Sequence, residues 1–224
     1  MDQNSVSIAR SQEQILSTNK VLKNTYMLLS ATLAFSAVTA FVSIGMNMPP
    51  MTYLIALIAS LVRGIFVLPK TANSGTGIGV IFLITGLMGF GLGSVLSMYL
   101  AMPKGPEVIA TAFGGTGIIF LGLSGYALTT KRDFSFMGGF LFAGMMVLVV
   151  AMLANIFFAM PALSLAISAG VILVMSGFIL FDTSRIINGG ETNYIMATYG
   201  LYLSIFNIFI SLLNILMAFA GNDD

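Results

Sequence analysis

Two charged side chains stand inside otherwise apolar helical runs, Arg63 and Asp182. A charge within a bilayer is costly unless it is solvated or paired, so such residues are the first places to look for ion or proton chemistry. Arg63 lies seven residues before Lys70, roughly 10 Å into its helix at about 1.5 Å per residue. Asp182 follows the charge-free stretch Phe134–Phe181. In one reading Arg63 snorkels to the interface and Asp182 pairs with Arg185 one turn on. In the other, Asp182 occupies a partly buried aqueous pocket, meets Arg63 or the face carrying Ser204 and Asn207, and gates a path by taking up or losing a proton. Ser204, Asn207, Ser211 and Asn214 recur at spacings of three, four and three, which places them in a line on one helix face. Thr32, Ser36, Thr39 and Ser43 form a similar stripe near the start of the chain. Either stripe is a set of interhelical hydrogen bonds or the lining of a path.

Catalytic chemistry finds little support. Gly122-Leu123-Ser124-Gly125 matches the GxSG pattern of intramembrane serine proteases, but that serine needs a histidine base and the chain has no histidine. An intramembrane aspartyl protease needs two membrane carboxylates, and only Asp182 qualifies. With no cysteine or histidine, zinc ligation fails as well. Sixteen methionines raise a soft-metal site near Met46, Met48 and Met51, against which stands the ordinary use of Met as apolar filler. The loop Gly75-Thr76-Gly77-Ile78-Gly79 resembles a phosphate cradle but lacks the strand before it and the Lys-Ser/Thr after it. The reading is therefore a non-enzyme with no cofactor and no resident metal.

The elements that position these residues follow from where charge is missing. Nine Lys/Arg and eight Asp/Glu fall almost wholly between long apolar runs, and 58% of the chain is hydrophobic. A bilayer core of ~30 Å needs ~20 apolar residues per helix, and lipid cannot satisfy free backbone groups. The runs lack the two-residue alternation of barrel strands. Breaks at Asn47-Met48-Pro49-Pro50, Met102-Pro103-Lys104-Gly105-Pro106, Lys131-Arg132-Asp133 and Met160-Pro161 predict helices near Thr25–Met46, Met51–Leu68, Ile78–Leu100 and Val108–Thr130, two within Phe134–Phe181, and one over Ile195–Ala220. The expected fold is an all-α integral membrane protein with seven transmembrane helices. Residues 1–23 form a polar, mobile tail bearing Arg10, Lys20 and Lys23, residues 24–220 the membrane domain, and 221–224 a short acidic tail.

Eight of the nine basic residues fall on one side of this arrangement and only Lys104 on the other. The positive-inside rule then puts the N-terminus in the cytoplasm and the C-terminus outside. The tail lacks an apolar segment and cleavage site, so it is not a signal peptide. A net charge of +1 gives no reason to expect a nucleic-acid partner. Gly86, Gly89, Gly91 and Gly93, with Gly114, Gly115, Gly117, Gly122 and Gly125, suit close helix packing.

The segment Phe181-Asp182-Thr183-Ser184-Arg185-Ile186-Ile187-Asn188-Gly189-Gly190-Glu191-Thr192-Asn193-Tyr194-Ile195, with Leu201-Tyr202-Leu203-Ser204-Ile205-Phe206-Asn207-Ile208-Phe209, resembles the C-terminal signature of the Bax inhibitor family. Ser17–Tyr26 and Lys70–Asn73 extend the likeness to a bacterial inner-membrane branch of it. The resemblance implies seven membrane helices with the last one central. It implies an inner-membrane modulator, both substrate and inhibitor, of the ATP-dependent protease FtsH, which would grip the N-terminal tail. Other members of the family are proposed to leak calcium under proton control at a pair of aspartates latched by an arginine. Asp182 matches the first aspartate, Ser204 stands where the second would be, and Arg63 is on the helix expected to carry the latch. The resemblance therefore leaves three readings: a protease modulator with FtsH as partner, a pH-sensitive leak moving calcium ions or protons, and a membrane scaffold.

Overall fold

The computed structural model describes the backbone of residues 3–221 and the side chains of residues 16–221. The acidic tail Asn222-Asp223-Asp224 lies outside the described residues, as does the Arg10 side chain. The described residues are helical with no strand. Seven helices are long and apolar enough to cross a membrane: α1 (Gln3–Gly45), α2 (Met51–Thr71), α3 (Thr76–Leu100), α4 (Gly105–Thr130), α5 (Gly138–Phe158), α6 (Pro161–Ile187) and α7 (Tyr194–Ala220). The count matches the one read from the apolar runs.

Two boundaries depart from expectation. In the segment expected as a polar tail, the backbone from Gln3 onward is the start of α1, a helix of 43 residues and so about 65 Å long. Nothing before Gly45 interrupts it: no glycine or proline precedes that position. Once the apolar part is helical the nucleation cost is met, and Ala, Gln, Glu, Leu, Arg and Lys extend the helix readily. At the same end of the molecule α6 runs past Phe181 to Ile187, so Asp182 and Arg185 lie on its last two turns.

The bundle is densest around α3, whose buried residues include Gly86, Gly89, Gly91 and Gly93. The first two meet α1: a Cβ on Gly89 would run into the Ser36 carbonyl oxygen, and one on Gly86 would press on the Phe35 ring. Gly93 faces Ala40 and Ser43 of α1, and Gly91 faces Ala56 of α2. Without side chains at these positions the backbones approach closely, which replaces the hydrophobic drive that lipid does not supply. The last helix, α7, packs against α1, α3, α4 and α6. By contrast α5 packs on α6 and exposes Phe140, Phe142, Val147, Ile156 and Phe157.

α2 contains one irregular turn. Over Arg63–Val67 the helix widens to π geometry, with the Leu68 amide bonded to the Arg63 carbonyl five residues back. That turn brings Gly64 under Tyr199 of α7, where any Cβ would collide with the phenol oxygen.

Candidate functional site at the basic end of the bundle

The end of the bundle where α6 stops and α7 starts carries most of the chemistry. α6 finishes with Gly189 in the left-handed region, φ 74°. The Gly190 and Glu191 amides turn back onto the Arg185 carbonyl at 2.8 and 3.1 Å. Glu191 then accepts the Asn193 amide at 2.9 Å, and Asn193 Oδ1 accepts the Ile195 and Met196 amides, capping α7. The other half of the Asn193 side chain reaches across, its Nδ2 donating to the Ala72 carbonyl at 3.0 Å and to Asn73 Oδ1 at 2.7 Å. The Gly-Gly-Glu-Thr-Asn-Tyr segment is thus a clasp joining the α2–α3 loop to the start of α7. Beside it is a polar pocket of about 320 Å³ lined by Asn73, Ser74, Thr192, Asn193 and Tyr194, among others.

Asp182 is half-buried on α6 and packs over Gly200 of α7, where a Cβ would stand 2.8 Å from its Oδ2. Gly200 is therefore what makes room for the carboxylate. Among the described residues Asp182 makes no ion pair within 4.0 Å. Arg185, three residues on, instead pairs with Glu191 at 3.5 Å, donates to the Gly190 carbonyl at 3.1 Å and lies over the Phe181 ring at 5.4 Å. The Asp182–Arg185 ion pair of the first reading is replaced by one to Glu191, because the Gly-Gly turn brings that carboxylate back under the guanidinium.

The arginine latch is not closed. Arg63 donates to the Ala59 carbonyl on its own helix at 3.0 Å and is half-buried. Ser204 is buried, and its hydroxyl donates to the Gly200 carbonyl at 3.1 Å. Asn207 donates to the Leu203 carbonyl at 2.8 Å. Each of the three thus spends a donor on its own helix. Lys20 and Lys23 are exposed on α1. The structure places Asp182 next to the α7 backbone one turn from Ser204, but it does not gather Asp182, Arg63, Ser204 and Asn207 into one hydrogen-bonded cluster.

Several contacts that hold the helices together could not be read from the sequence. The Tyr26 hydroxyl donates to Ser124 at 2.9 Å, and Ser124 is 3.3 Å from the Thr183 hydroxyl, joining α1, α4 and α6 beside Asp182. Ser124, the serine of the GxSG match, is therefore a packing junction. Next along α6, the Ser184 hydroxyl donates to the Arg132 carbonyl at 3.1 Å and accepts the Phe134 amide at 2.8 Å, fixing the α4–α5 loop. In that loop Asp133 accepts the Ser135 amide at 2.8 Å, and its bonds to Ser135 hold its carboxyl below the usual range. Tyr202 bonds Ser36 of α1 at 2.6 Å and donates to the Thr85 carbonyl of α3 at 3.3 Å. Polar residues inside apolar helices were the available hint, but their partners lie far away in sequence.

Chemically, the site offers one carboxylate, Asp182, outside any ion pair, beside the Arg185–Glu191 pair. No group of three His, Cys, Asp or Glu that could hold a metal occurs among the described residues.

Known proteins resemble this chain along its whole length. A membrane protein of Vibrio cholerae is 53% identical over 213 residues, 95% of this chain and 96% of its own. A protein of Escherichia coli K12 named modulator of FtsH protease YccA is 51% identical over 218 residues, 97% of this chain and 98% of its own. The profile of the family described as inhibitor of apoptosis-promoting Bax1 matches residues 18–221. With the sixth-loop signature, the seven helices and that match, the chain belongs to the Bax inhibitor family.

Proposed function

We propose that this chain is an inner-membrane modulator of an FtsH-type ATP-dependent protease, acting as substrate and inhibitor and not as a catalyst. The reading rests on the E. coli relative's name and on one structural observation: a helical N-terminal extension that runs without a break into the tightly packed α1–α3 seam. The basic end, with Lys20, Lys23, Lys70, Lys131, Arg132 and Arg185, faces the cytoplasm by the positive-inside rule, and the extension with it. A protease pulling on residues 1–9 would have to part α1 from α3. Because their contact is backbone against backbone, extraction stalls and the protease stays occupied.

Deleting Met1–Ala9 tests this in a reconstituted mixture of the protease, ATP and this protein. The truncated protein is expected to be degraded more slowly and to inhibit less. Unchanged degradation and unchanged inhibition would dismiss the tail as handle. Retained co-purification without the tail would favour a membrane scaffold.

The transport alternative rests on Asp182 alone, since Ser204 supplies a hydroxyl whose proton goes to the Gly200 carbonyl. Two nearby carboxylates raise one another's proton affinity, and a serine cannot take that part. Liposomes separate the readings: a calcium flux that varies with pH and disappears in Asp182→Asn supports the leak, whereas a folded preparation without flux removes it.

A further inference from the structure

Helices α1 and α4 meet at one bridge. The Tyr26 hydroxyl donates to Ser124 at 2.9 Å, and the Tyr26 ring lies 6.1 Å from that of Phe120. Apart from this bridge the two helices are not packed neighbours, while α7 packs on both and so lies behind the gap between them.

The bridge fixes which residues line that gap. The two helices run in opposite directions. Outward from the bridge, Ser30, Leu33 and Ala37 follow Tyr26 by four, seven and eleven residues, and Phe120, Gly117 and Phe113 precede Ser124 by the same steps. Such steps stay on one helix face. Ser30 and Ala37 are exposed, Phe113 is 73% exposed, and a Cβ on Gly117 would meet nothing within 4 Å. The helices therefore part outward of Tyr26 and leave an apolar wedge that narrows toward the cytoplasmic end. A helix with its side chains is about 10–12 Å across and cannot enter where the two rings already pack. A flexible hydrocarbon chain can.

On the cytoplasmic side of the bridge the same two helices carry basic groups. Lys23 and Lys20 lie three and six residues before Tyr26, about 4.5 and 9 Å nearer the cytoplasm, and both are exposed. Lys131 lies seven residues after Ser124, about 10 Å in the same direction, where it closes α4 in a left-handed conformation with φ 51°. Arg132 follows it, exposed, with its carbonyl held by Ser184 of α6. The carboxylates on these elements point elsewhere or lie further off: Asp133 accepts the Ser135 amide, Asp182 faces Gly200 of α7, and Glu107 is at the opposite end of α4. Glu13 stands seven residues before Lys20, about 10 Å further along α1. Two pairs of cations, one on each wall, thus stand at the narrow end of an apolar wedge.

We propose that the α1–α4 wedge holds one anionic phospholipid, with its phosphate at Lys20, Lys23, Lys131 and Arg132 and an acyl chain along Gly117 and Ala37. Basic pockets between membrane helices on the cytoplasmic side suit such headgroups. The site needs no protease, so it stands apart from the modulator reading.

The test is native mass spectrometry of the full chain in detergent micelles, titrated with phosphatidylglycerol. One bound lipid per chain is expected, with weaker retention of phosphatidylethanolamine carrying the same tails and no displacement by inorganic phosphate. Lys23→Gln with Arg132→Gln should weaken phosphatidylglycerol binding about thirtyfold, at about fivefold for each basic group. Lys70→Gln, which removes an exposed base on the same side but at the end of α2, should leave binding unchanged. Gly117→Leu fills the wedge and should weaken the diacyl lipid without touching the basic groups. Melting temperatures report whether each variant is folded. Should one not fold, phosphatidylglycerol with a photoreactive tail decides on the wild type, where it should label residues 30–37 or 113–120. Equal losses in the Lys70 and the Lys23/Arg132 variants, equal retention of the two lipids, or displacement by phosphate would each overturn the assignment. So would undiminished binding in folded Gly117→Leu, labelling confined to other helices, or a lipid-free dimer in which a second copy fills the wedge.

Discussion

Two polar stripes with the same helical spacing end in different kinds of contact. On α1, Thr32, Ser36 and Ser43 are buried, Thr39 lies between them, and the face meets the glycine column of α3. Their hydrogen bonds hardly cross to the neighbour. Thr32 and Thr39 donate to carbonyls three residues back, and Ser43 Oγ has no partner among the described residues. Ser36 alone reaches out, to Tyr202. On α7, Ser204 and Asn207 likewise bond their own helix, but Asn214 donates to both Ser164 and Ser168 of α6, at 3.1 and 2.8 Å. The α1 stripe is a steric seam, in which small hydroxyls let a backbone approach. The α7 stripe is a seam of side chains, joined by an amide at one end and left with one-turn bonds at the other. Spacing assigns a face to each stripe; what stands opposite decides its use.

The largest effect is expected where backbone meets backbone. Gly89→Leu would drive its side chain into the Ser36 carbonyl and the Ser36 and Thr39 hydroxyls, and backbone cannot yield as a rotamer can. Overpacking of this kind costs about 1–3 kcal/mol or more. Thermal unfolding in detergent should show a large fall in midpoint or no folded protein. A near-wild-type midpoint would mean that α1 and α3 separate freely, and the resistance to extraction proposed above would lose its basis.

Tyr202→Phe comes next. It removes a buried hydroxyl that bonds Ser36 and Thr85 and leaves both without that partner. A cost of about 1 kcal/mol is expected, since hydrogen bonds between membrane helices are modest in value. Adding Ser36→Ala to Tyr202→Phe should cost little more than Tyr202→Phe alone. Additive losses in that double-mutant cycle would show that the two hydroxyls do not act as a pair.

Asn214→Leu should cost about 0.6 kcal/mol, the typical worth of an interhelical polar contact in a membrane. Its loss separates α6 from α7 at the end away from Asp182, so the clasp at Asn193 should be untouched. Faster backbone amide exchange near Asn193 in this variant would contradict the separation of the two ends.

The sequence made the seven helices legible because apolar runs and prolines act locally, within one turn or one span. The site was legible only as a set of residue types. Asp182 stands on the expected helix, yet its neighbour is the backbone of Gly200, a position that carries no side chain to announce itself. The widened turn at Arg63–Val67 adds a residue to one turn without changing composition, so no apolar period reveals it. It also turns on where Gly64 meets Tyr199, a contact between distant parts of the chain. Arg63 could be placed by depth but not by direction, and its bond to Ala59 follows from direction. The polarity of the N-terminal segment gave no sign that its backbone is helical from Gln3. Polarity governs whether a helix is buried, while continuity depends on the absence of glycine and proline from a chain already helical downstream.

The smallest effect is expected at Ser204, the α7 position nearest Asp182 in the stripe. Its hydroxyl is buried, but its one hydrogen bond goes to the Gly200 carbonyl, which as a main-chain acceptor of α7 also serves the helix ladder. Ser204→Ala therefore removes a redundant bond and leaves no donor stranded, since the hydroxyl departs whole. Within a few tenths of a kcal/mol the midpoint should not move. The same substitution tests whether Asp182 depends on its neighbour: if the hydroxyl served the carboxylate, Ser204→Ala would alter the pH dependence of any function that Asp182→Asn removes. Because Ser204 donates to the backbone, the pH profile should be unchanged. A shifted profile would mean that the Ser204 hydroxyl turns toward Asp182 in the working protein, making this end of α7 a coupled site like the amide-linked end and not a pair of one-turn bonds.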